Sequence, residues 1–357
     1  MKMVPRFQWH DGKDSNNGCS VCVHYSSTAV SAYVWGISMV KALIDGDAIS
    51  YIIGYASESI GYQYVSTFKH ENSTPKLGLN LDTNEPTITH DGENFTFEFM
   101  NMTERQVREK LRELSYFPQG ELTKKTYVAS HSHSEYLTKL LMDQILTDVG
   151  TEEFQVYLTS DDKSNFRFKL AETQPYKGNR KDSRKPYNLQ AIRQFLIDRY
   201  HADVIYGMEA DDALGMAQFN TRDTIICDND KDTWMIPGNH YNIKTREFFT
   251  TSDPGELELV NQRKKLRGGG ILWFYAQMLL GDTADNIPGL EGYGPVKVYN
   301  LLNGVQNEVD MLQIVRNQYI LKQCIDRLPE IGGLLWILRT CTDQKKQHIQ
   351  QMLGQSI

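Results

Sequence analysis

The stretch ADVIYGMEADDALGMAQFNTRDTIICDND, residues 202–230, shows how this chain is built. A short apolar run is followed by a turn, a helix-like segment and a second apolar run, TIIC. Alternation of strand and helix at this spacing is typical of a βαβ unit with parallel strands. Carboxylates follow both runs, and they are Glu209, Asp211 and Asp212, then Asp228 and Asp230.

The same arrangement occurs twice earlier in the chain. The apolar run 42–44 ends at Asp45, and FQVYLTSDD (154–162) ends in Asp161 and Asp162. Because the carboxyl ends of parallel strands share one edge of a sheet, we expect these acids to converge there. The pattern predicts an α/β fold with a mostly parallel central sheet flanked by helices. Helical periodicity is found at 104–114, 134–149 with Ser134 as N-cap, 188–200 and 270–280.

A further acidic junction is GDTADNIPGLEGYGPVKVYNLL, residues 281–302. It starts with Asp282 and Asp285, passes through a glycine-rich turn and enters an amphipathic helix that carries Lys297. Gly292 and Gly294 allow a tight turn whose backbone N–H groups face a phosphate at the N-terminus of that helix. The segment therefore combines acids with a candidate phosphate site.

So many carboxylates cannot crowd together without cations, since like charges a few ångströms apart raise each other's pKa. Hard divalent ions with oxygen ligands resolve the conflict, and Mg²⁺ or Mn²⁺ is the natural choice. Two such ions clamp the attacking and leaving oxygens of a phosphodiester. Asp228 and Asp230 are spaced to bridge them, whereas the scarcity of His and Cys nearby makes a zinc hydrolase a poor fit.

A structural role is the usual explanation for any one of these acids, because an Asp after a strand commonly caps a helix. EADD at a helix start also suits the helix dipole without any metal. Asp232 is interpreted as a salt-bridge or capping residue. The metal hypothesis depends on the acids following several predicted strands together.

Composition narrows the possible settings. The 357 residues carry a formal charge of −7, which argues against a protein that simply coats nucleic acid but not against local basic patches. The five cysteines are odd in number, and the CxxC at Cys19 and Cys22 lacks a second pair, so a reduced, cytoplasmic setting is expected (host cytoplasm if viral). No apolar run reaches about 18 residues, so no membrane partner is expected.

Five segments together carry a family resemblance: LIDGDA, YKGNR, EADD, CDNDKD and GDTADNIPGLEGYGPVK. In order and spacing they resemble the 5′-nuclease superfamily over about residues 41–305. That group includes flap endonucleases, the 5′-nuclease domain of bacterial DNA polymerases and phage 5′→3′ exonucleases. Among these groups, a chain of this length most resembles a phage exonuclease or a flap endonuclease.

The resemblance implies a domain plan and ligands. Residues 1–38 are an N-terminal extension without an assigned role, 39–250 a nuclease core with an insertion at about 62–103, and 251–357 a helical DNA-binding region. The last contains a helix–three-turn–helix module at about 281–303, with a monovalent cation as a further candidate at its loop. Two Mg²⁺ or Mn²⁺ ions are the implied cofactors. DNA with a 5′ end, overhang or flap is the implied substrate, with an RNA–DNA hybrid and replication proteins as further candidate partners.

Residue roles also follow from the resemblance. Lys177 and Arg180 are implied at the scissile phosphate, while Lys181, Arg184 and Lys185 continue the basic run toward single-stranded 5′ ends. Gly292, Gly294 and Lys297 are implied in duplex binding. The implied first-ion ligands are Asp45, Asp161 or Asp162, Glu209, Asp211 and Asp212; Asp228 lies between the ions, and Asp230, Asp282 and Asp285 serve the second.

The leading hypothesis is therefore 5′→3′ exonuclease or 5′-flap endonuclease activity on DNA by two-metal-ion catalysis, in phage-type replication, recombination or primer removal. The alternatives are a PIN-type ribonuclease, which shares the acidic centre, and a non-catalytic protein that binds DNA structures. The segment GDTADNIPGLEGYGP argues against the first, and the full acid set argues against the second.

Overall fold

The computed structural model describes residues 40–66, 87–90, 95–100, 102–113, 120–180, 183–221 and 223–340. Lys181 and the predicted extension 1–38 lie outside them. The strands are β1 (Lys41–Asp45), β2 (Glu58–Ser66), β3 (Thr87–His90), β4 (Phe95–Met100), β5 (Gly120–Val128), β6 (Phe154–Thr159), β7 (Asp203–Ile205), β8 (Thr224–Asp228), β9 (Gly238–Asn242), β10 (Glu247–Thr251), β11 (Leu257–Val260), β12 (Lys265–Gly268), β13 (Gly281–Asp282) and β14 (Ile287–Pro288). The helices are α1 (Gly46–Ala56), α2 (Glu104–Glu113), α3 (His131–Val149), α4 (Arg167–Leu170), α5 (Leu189–Tyr200), α6 (Ala210–Asn220), α7 (Gly270–Leu280), α8 (Pro295–Leu302), α9 (Glu308–Leu321) and α10 (Leu328–Leu335).

A six-stranded sheet with the order β10-β9-β8-β1-β6-β7 is the centre of the fold. Its strands β7, β6, β1, β8 and β9 are parallel, and only β10 runs antiparallel. The middle strands are apolar without alternation because both of their faces are covered, as every residue of β8 is buried. The prediction of an α/β fold with a mostly parallel sheet is confirmed.

Contacts divide the chain into two compact units, and the sheet belongs to the larger one. This unit contains the part of the chain up to Ser50 together with Lys139–Arg184 and the chain from Arg193 onward. Its C-terminal part is helical, as predicted, and α7 is buried from Gly270 to Leu279. Side chains of α8, α9 and α10 join the same apolar cluster as α7.

The smaller unit contains Tyr51–Thr138 and Lys185–Ile192. It has a four-stranded antiparallel sheet with the order β3-β4-β2-β5. Tyr62, Tyr64, Phe97 and Phe99 pack with Val107 and Leu111 of α2 to form its own core. The described part of the predicted insertion at 62–103 therefore contributes strands to a sheet that starts before it and ends after it. The domain boundaries themselves stay a prediction.

The start of α3 differs from the sequence prediction. The helix begins at His131, and the N–H of His133 approaches the hydroxyl oxygen of Ser130 at 3.3 Å. Ser134 lies inside the helix, where its hydroxyl donates to the hydroxyl of Ser57 at 3.0 Å. The prediction of Ser134 as N-cap is wrong because a second serine four residues earlier takes that position. Of the helices described, none has the length and apolarity to cross a bilayer.

Candidate metal centre

Three carboxylates meet at the carboxyl edge of the large sheet. Asp45 ends β1, Asp228 ends β8, and Asp211 lies in the first turn of α6. One oxygen atom from each of the three lies within 4.8 Å of the other two. We call Asp45, Asp211 and Asp228 the central trio.

The sheet brings the two strand-end members of the trio together. In the β1–β8 register Ile44 lies opposite Cys227, so the next residues, Asp45 and Asp228, leave the same edge. Asp45 accepts the N–H of Asp47 at 2.8 Å, which fixes its carboxylate at the start of α1. Asp228 accepts the hydroxyl of Thr233 at 3.0 Å.

The central trio is held in an unfavourable electrostatic state. Burial, followed by the neighbouring acids, raises the pKa of Asp228 to about 6 and the pKa values of Asp45 and Asp211 well above their usual range. Within the described parts of the chain, no Lys, Arg or His lies within 4.0 Å of these carboxylates. Three close oxygen donors, two of them buried and that of Asp211 half-buried, fit a hard divalent ion such as Mg²⁺ or Mn²⁺.

Glu209 and Asp285 differ from the trio because they are already paired with cations. Lys177 bonds to Glu209 and has its Nζ 3.8 Å from Asp285, and Arg180 bonds to the other oxygen of Asp285. The hydroxyl of Tyr176 donates to Glu209 at 2.9 Å and to Asp285 at 2.7 Å. Burial alone would raise the pKa of Glu209, but Lys177 and Arg167 lower it overall. We call Glu209 and Asp285 the paired acids.

The basic turn that carries Lys177 and Arg180 is joined to the loop after α7. Lys177 adopts the left-handed conformation with φ 54°, which brings its N–H toward that loop. Four hydrogen bonds connect the two segments: Lys177 N to Asp285 O (2.8 Å), Asn179 Nδ2 to Thr283 O (2.6 Å), Arg180 Nε to Ala284 O (3.0 Å) and Asn286 Nδ2 to Pro175 O (2.9 Å). The segments YKGNR and GDTADN, far apart in sequence, therefore form one wall of the site.

Asp230, Asp232 and Asp282 form what we call the outer acids. Lys231 Nζ lies 2.7 Å from Asp232 Oδ1 and 3.6 Å from Asp282 Oδ2. Burial raises the pKa of Asp232 well above its usual range, and the charges of Asp230 and Asp282 add to this rise. Asp232 thus has the ion pair expected for it, but it also belongs to the acidic centre.

Asp212 is oriented away from a ligand role by its partners. It is completely buried and bonds Arg167 in a bidentate pair at 2.6 and 2.9 Å. The same carboxylate accepts the N–H of Glu209 at 3.0 Å, which closes a capping box on α6, and the N–H of Leu338 at 3.0 Å. Both of its oxygens are therefore occupied by the protein.

The buried side chain of Arg167 connects Asp212 to the C-terminal helical region. Its side chain is 2% exposed, and beyond Asp212 it donates to the backbone oxygens of Leu334 at 3.0 Å and Trp336 at 2.7 Å. A buried arginine with this many partners fixes geometry rather than reacting. Arg167 holds the N-terminus of α6, which carries Glu209 and Asp211, against the segment after α10.

The acids after β6 lie outside the central trio. Asp161 is 52% exposed, with its carboxylate 3.7 Å from Arg193. Asp162 is exposed, and hydrogen bonds from Ser164 lower the pKa of its carboxyl. The order of strands does place both at the same edge of the sheet as Asp45.

The glycine-rich loop before α8 is open to solvent. Gly292 has the left-handed φ of 81° that favours glycine. Gly294 is extended at φ −91° and caps α8, and nothing lies within 4 Å of a Cβ placed on it. Lys297 Nζ lies 3.5 Å from the centre of the Tyr293 ring, a cation–π contact at the exposed end of the helix. Arg184 and Lys185 are exposed as well.

Sequence reasoning missed three residues of this centre. Tyr176 is 4% exposed, and its hydroxyl donates to both paired acids. Arg167 could have been suspected from its place in the otherwise apolar stretch NFRFKL, whereas Lys231 gave no signal beyond its position between two acids.

Comparisons with known proteins show similarity to bacterial DNA polymerases. No protein-family model matches the chain. It is 24% identical over 202 residues to DNA polymerase I of Bacillus caldotenax (53% of this chain, 22% of the polymerase). It is 27% identical over 131 residues to that of Pseudomonas aeruginosa (36% and 13%), and 30% identical over 154 residues to that of Caldicellulosiruptor bescii (40% and 18%).

The chain thus spans between 13% and 22% of the length of these polymerases. A crystal structure of the T5 D15 protein co-crystallised with metal ions overlaps 61% of this chain and 90% of that chain, with a TM-score of 0.37 and 15% identity. An overlap at that level says nothing about activity. The motifs resemble a family that includes the 5′-nuclease domain of bacterial DNA polymerases, and the relatives matched are bacterial DNA polymerases. The chain is thus similar over part of its length to bacterial DNA polymerases, and its motifs resemble the 5′-nuclease superfamily.

Proposed function

We propose that the protein hydrolyses phosphodiester bonds at the 5′ ends of DNA in a reaction that requires divalent metal ions. The observation that carries this proposal is the central trio. Two of its carboxylates are buried and that of Asp211 is half-buried, their oxygens lie within 4.8 Å of one another, and no cation from the described residues lies beside them. Such an arrangement is costly unless it is compensated by an ion. The similarity to bacterial DNA polymerases, together with the motif resemblance to 5′-nucleases, supports the choice of DNA.

The central trio would hold the first ion, with Glu209 beside it, and the outer acids would hold the second. Asp228 belongs to the trio and is adjacent to the outer acids, since the charge of Asp230 raises its pKa. When bound, such ions stabilise charge on the reacting phosphate and activate water at neutral pH. Asp161 and Asp162 stay predicted ligands, while Asp212 and Asp285 act in this proposal by holding Arg167, Lys177 and Arg180.

Lys177 and Arg180 would bind the scissile phosphate. In this structure both side chains donate to carboxylate oxygens. The anionic oxygens of a phosphate are hydrogen-bond acceptors of the same kind, so they can replace these carboxylates as partners. Exchange of a carboxylate for a phosphate keeps each cation paired throughout. The left-handed backbone at Lys177 and its hydrogen bond to the loop after α7 fix the backbone positions from which the Lys177 and Arg180 side chains extend.

Duplex DNA would be bound by the loop before α8. Gly294 leaves the N-terminus of α8 uncovered, and Lys297 adds a positive charge in the first turn. Backbone N–H groups and the helix dipole at such an end favour a phosphate. This contact is set by the DNA backbone and carries no sequence preference.

The test is cleavage of 5′-labelled blunt duplex, 5′-overhang and 5′-flap DNA, with matched RNA and RNA–DNA hybrid substrates, with and without Mg²⁺ or Mn²⁺. We expect cleavage of DNA near the 5′ end only when the ion is present, and product lengths separate exonuclease from flap endonuclease activity. Preference for RNA would indicate the ribonuclease alternative. Binding to the flap without cleavage in either ion would contradict the proposal and indicate a non-catalytic protein.

A further inference from the structure

Lys231 has a place in the acidic centre that none of the roles above explains. It lies between two of the outer acids in sequence, and its Nζ is paired with Asp232 and Asp282. Its side chain is 50% exposed, so the aliphatic part is free to move toward solvent. In the part of the chain that the structure describes, the central trio has no such cation, although it has the same number of carboxylates.

We propose that Lys231 is the internal counter-ion of the outer acids and that it competes with the second divalent ion for them. The inference rests on the proposed function, because it concerns the second of the two ions assigned there. Three carboxylates and one ammonium group give the outer acids a smaller net charge than the trio. The trio is therefore filled first, and the outer ion is bound only when Lys231 swings away.

Beside Asp232 lies a buried amide group that could contribute to a cation site. The amide nitrogen of Gln277 on α7 donates to Asp232 at 2.5 Å, which holds that carboxylate from the buried side. Gln277 is 1% exposed, and its Oε1 is buried without a hydrogen-bond partner. A buried amide oxygen beside carboxylates is a ligand that hard cations or their bound water use.

The backbone keeps these acids in place when the lysine leaves. Asp282 accepts the N–H of Ala284 at 2.9 Å, and Asp230 accepts the N–H of Asp232 at 3.0 Å. Neither bond involves Lys231, so its departure leaves the carboxylates oriented. The lysine is thus a displaceable charge rather than a support of the fold.

Binding of Mn²⁺ to the full chain without DNA tests the proposal, measured by electron paramagnetic resonance and calorimetry. The variants are Lys231→Met, which removes the charge, and Lys231→Arg, which keeps it. Lys264→Met, an exposed lysine in the turn between β11 and β12, is the matched control. Thermal unfolding of each variant verifies that it is folded, and Lys231→Gln replaces the Met variant if that one is not.

We expect Lys231→Met to tighten the weaker of two Mn²⁺ sites by about tenfold or more, since a unit charge repels a divalent ion appreciably even at the dielectric constant of water. The Arg and Lys264→Met variants should bind as the wild type does. An unchanged or weakened second site in the Met variant would overturn the inference. Failure of the proposed function has a different signature, which is wild-type protein without any Mn²⁺ site that depends on Asp228.

Discussion

Glu209 and Asp211 are two residues apart, yet the pKa values of their carboxyl groups are shifted in opposite directions. Lys177 and Arg167 lower the pKa of Glu209, whereas burial and the other members of the trio raise the pKa of Asp211. Both side chains leave the first turn of α6 or its cap. The difference lies in the partners that the fold brings to each.

This contrast separates two tasks within one acidic edge. Carboxylates left without a protein cation attract one from solution, and carboxylates already paired hold basic groups ready for a polyanion. Acids and lysines can therefore coexist next to the proposed phosphate site without cancelling each other. The experiments below act on one side of this contrast at a time.

Removal of one trio carboxylate should have the largest effect. Asp228→Asn keeps the shape of the side chain but removes its negative charge from the trio. We expect a loss of about 10³-fold or more in single-turnover cleavage, comparable to removal of a main electrostatic element. Near-wild-type turnover in saturating Mg²⁺ would mean that the trio is structural.

Lys177→Ala acts on the other side of the contrast. The chemical step should slow by about 10²-fold while duplex affinity in Ca²⁺ stays close to that of the wild type, because the lysine is placed at the reacting phosphate. Lys264→Ala is the control for loss of a positive charge. A variant that binds poorly and cleaves normally at saturation would contradict this role.

Protons should compete with metal ions at the trio but not at Glu209, whose pKa is lowered by Lys177 and Arg167. Since the pKa of Asp228 is raised to about 6, the residue takes up a proton below that pH, and the ion must displace it. As the pH is lowered below 6, the apparent Mn²⁺ affinity should fall by about tenfold for each pH unit. The measurement is a set of calorimetric titrations between pH 5 and 8, and a pH-independent affinity would argue against binding at Asp228.

Gly294→Asp should weaken duplex binding by about tenfold through repulsion and obstruction of the phosphate, without touching the trio. Gly294→Ala is a sharp control, because its extended backbone suits any residue and its Cβ would enter open space. Affinity and cleavage are compared on duplex-bearing and short single-stranded substrates. Equal losses on both would assign the loop a purely structural role.

The smallest effect is expected for Lys297→Ala. One phosphate contact fewer should reduce duplex affinity by about threefold and flatten the salt dependence by about one unit of slope, equally for all sequences. Affinities measured over a series of KCl concentrations give the slope directly. An unchanged slope would show that the stacking of Lys297 on Tyr293 keeps the charge away from DNA.

Much of the fold could be predicted because the signals were local. Apolar runs such as TIIC predicted β8, and the acids after each run predicted which edge would be acidic. The small antiparallel sheet was harder, since its strands lie in polar stretches rich in Thr and Asn and are recognisable only by pairing.

The division of the acids into trio, paired acids and outer acids could not be predicted from the sequence. It depends on side-chain partners far away in the chain, such as Lys177 with Glu209 and Arg167 with Asp212. The motif marks these positions as acidic, but only the packed structure decides which charge is compensated. Whether each acid binds an ion remains a prediction for the experiments above.

The contact of Arg167 with the segment after α10 has a consequence for how the protein matures. The backbone oxygens of Leu334 and Trp336 that receive this guanidinium are made long after the strands of the sheet. During synthesis at about 5–20 residues per second, α6 and its acids leave the ribosome before that segment exists. A nascent chain that stops short of Leu334 would bury a charged arginine beside Asp212 with part of its hydrogen bonds unmade. The hydrogen bonds that hold Arg167 beside the acidic centre are therefore completed only after residue 336 has been synthesised.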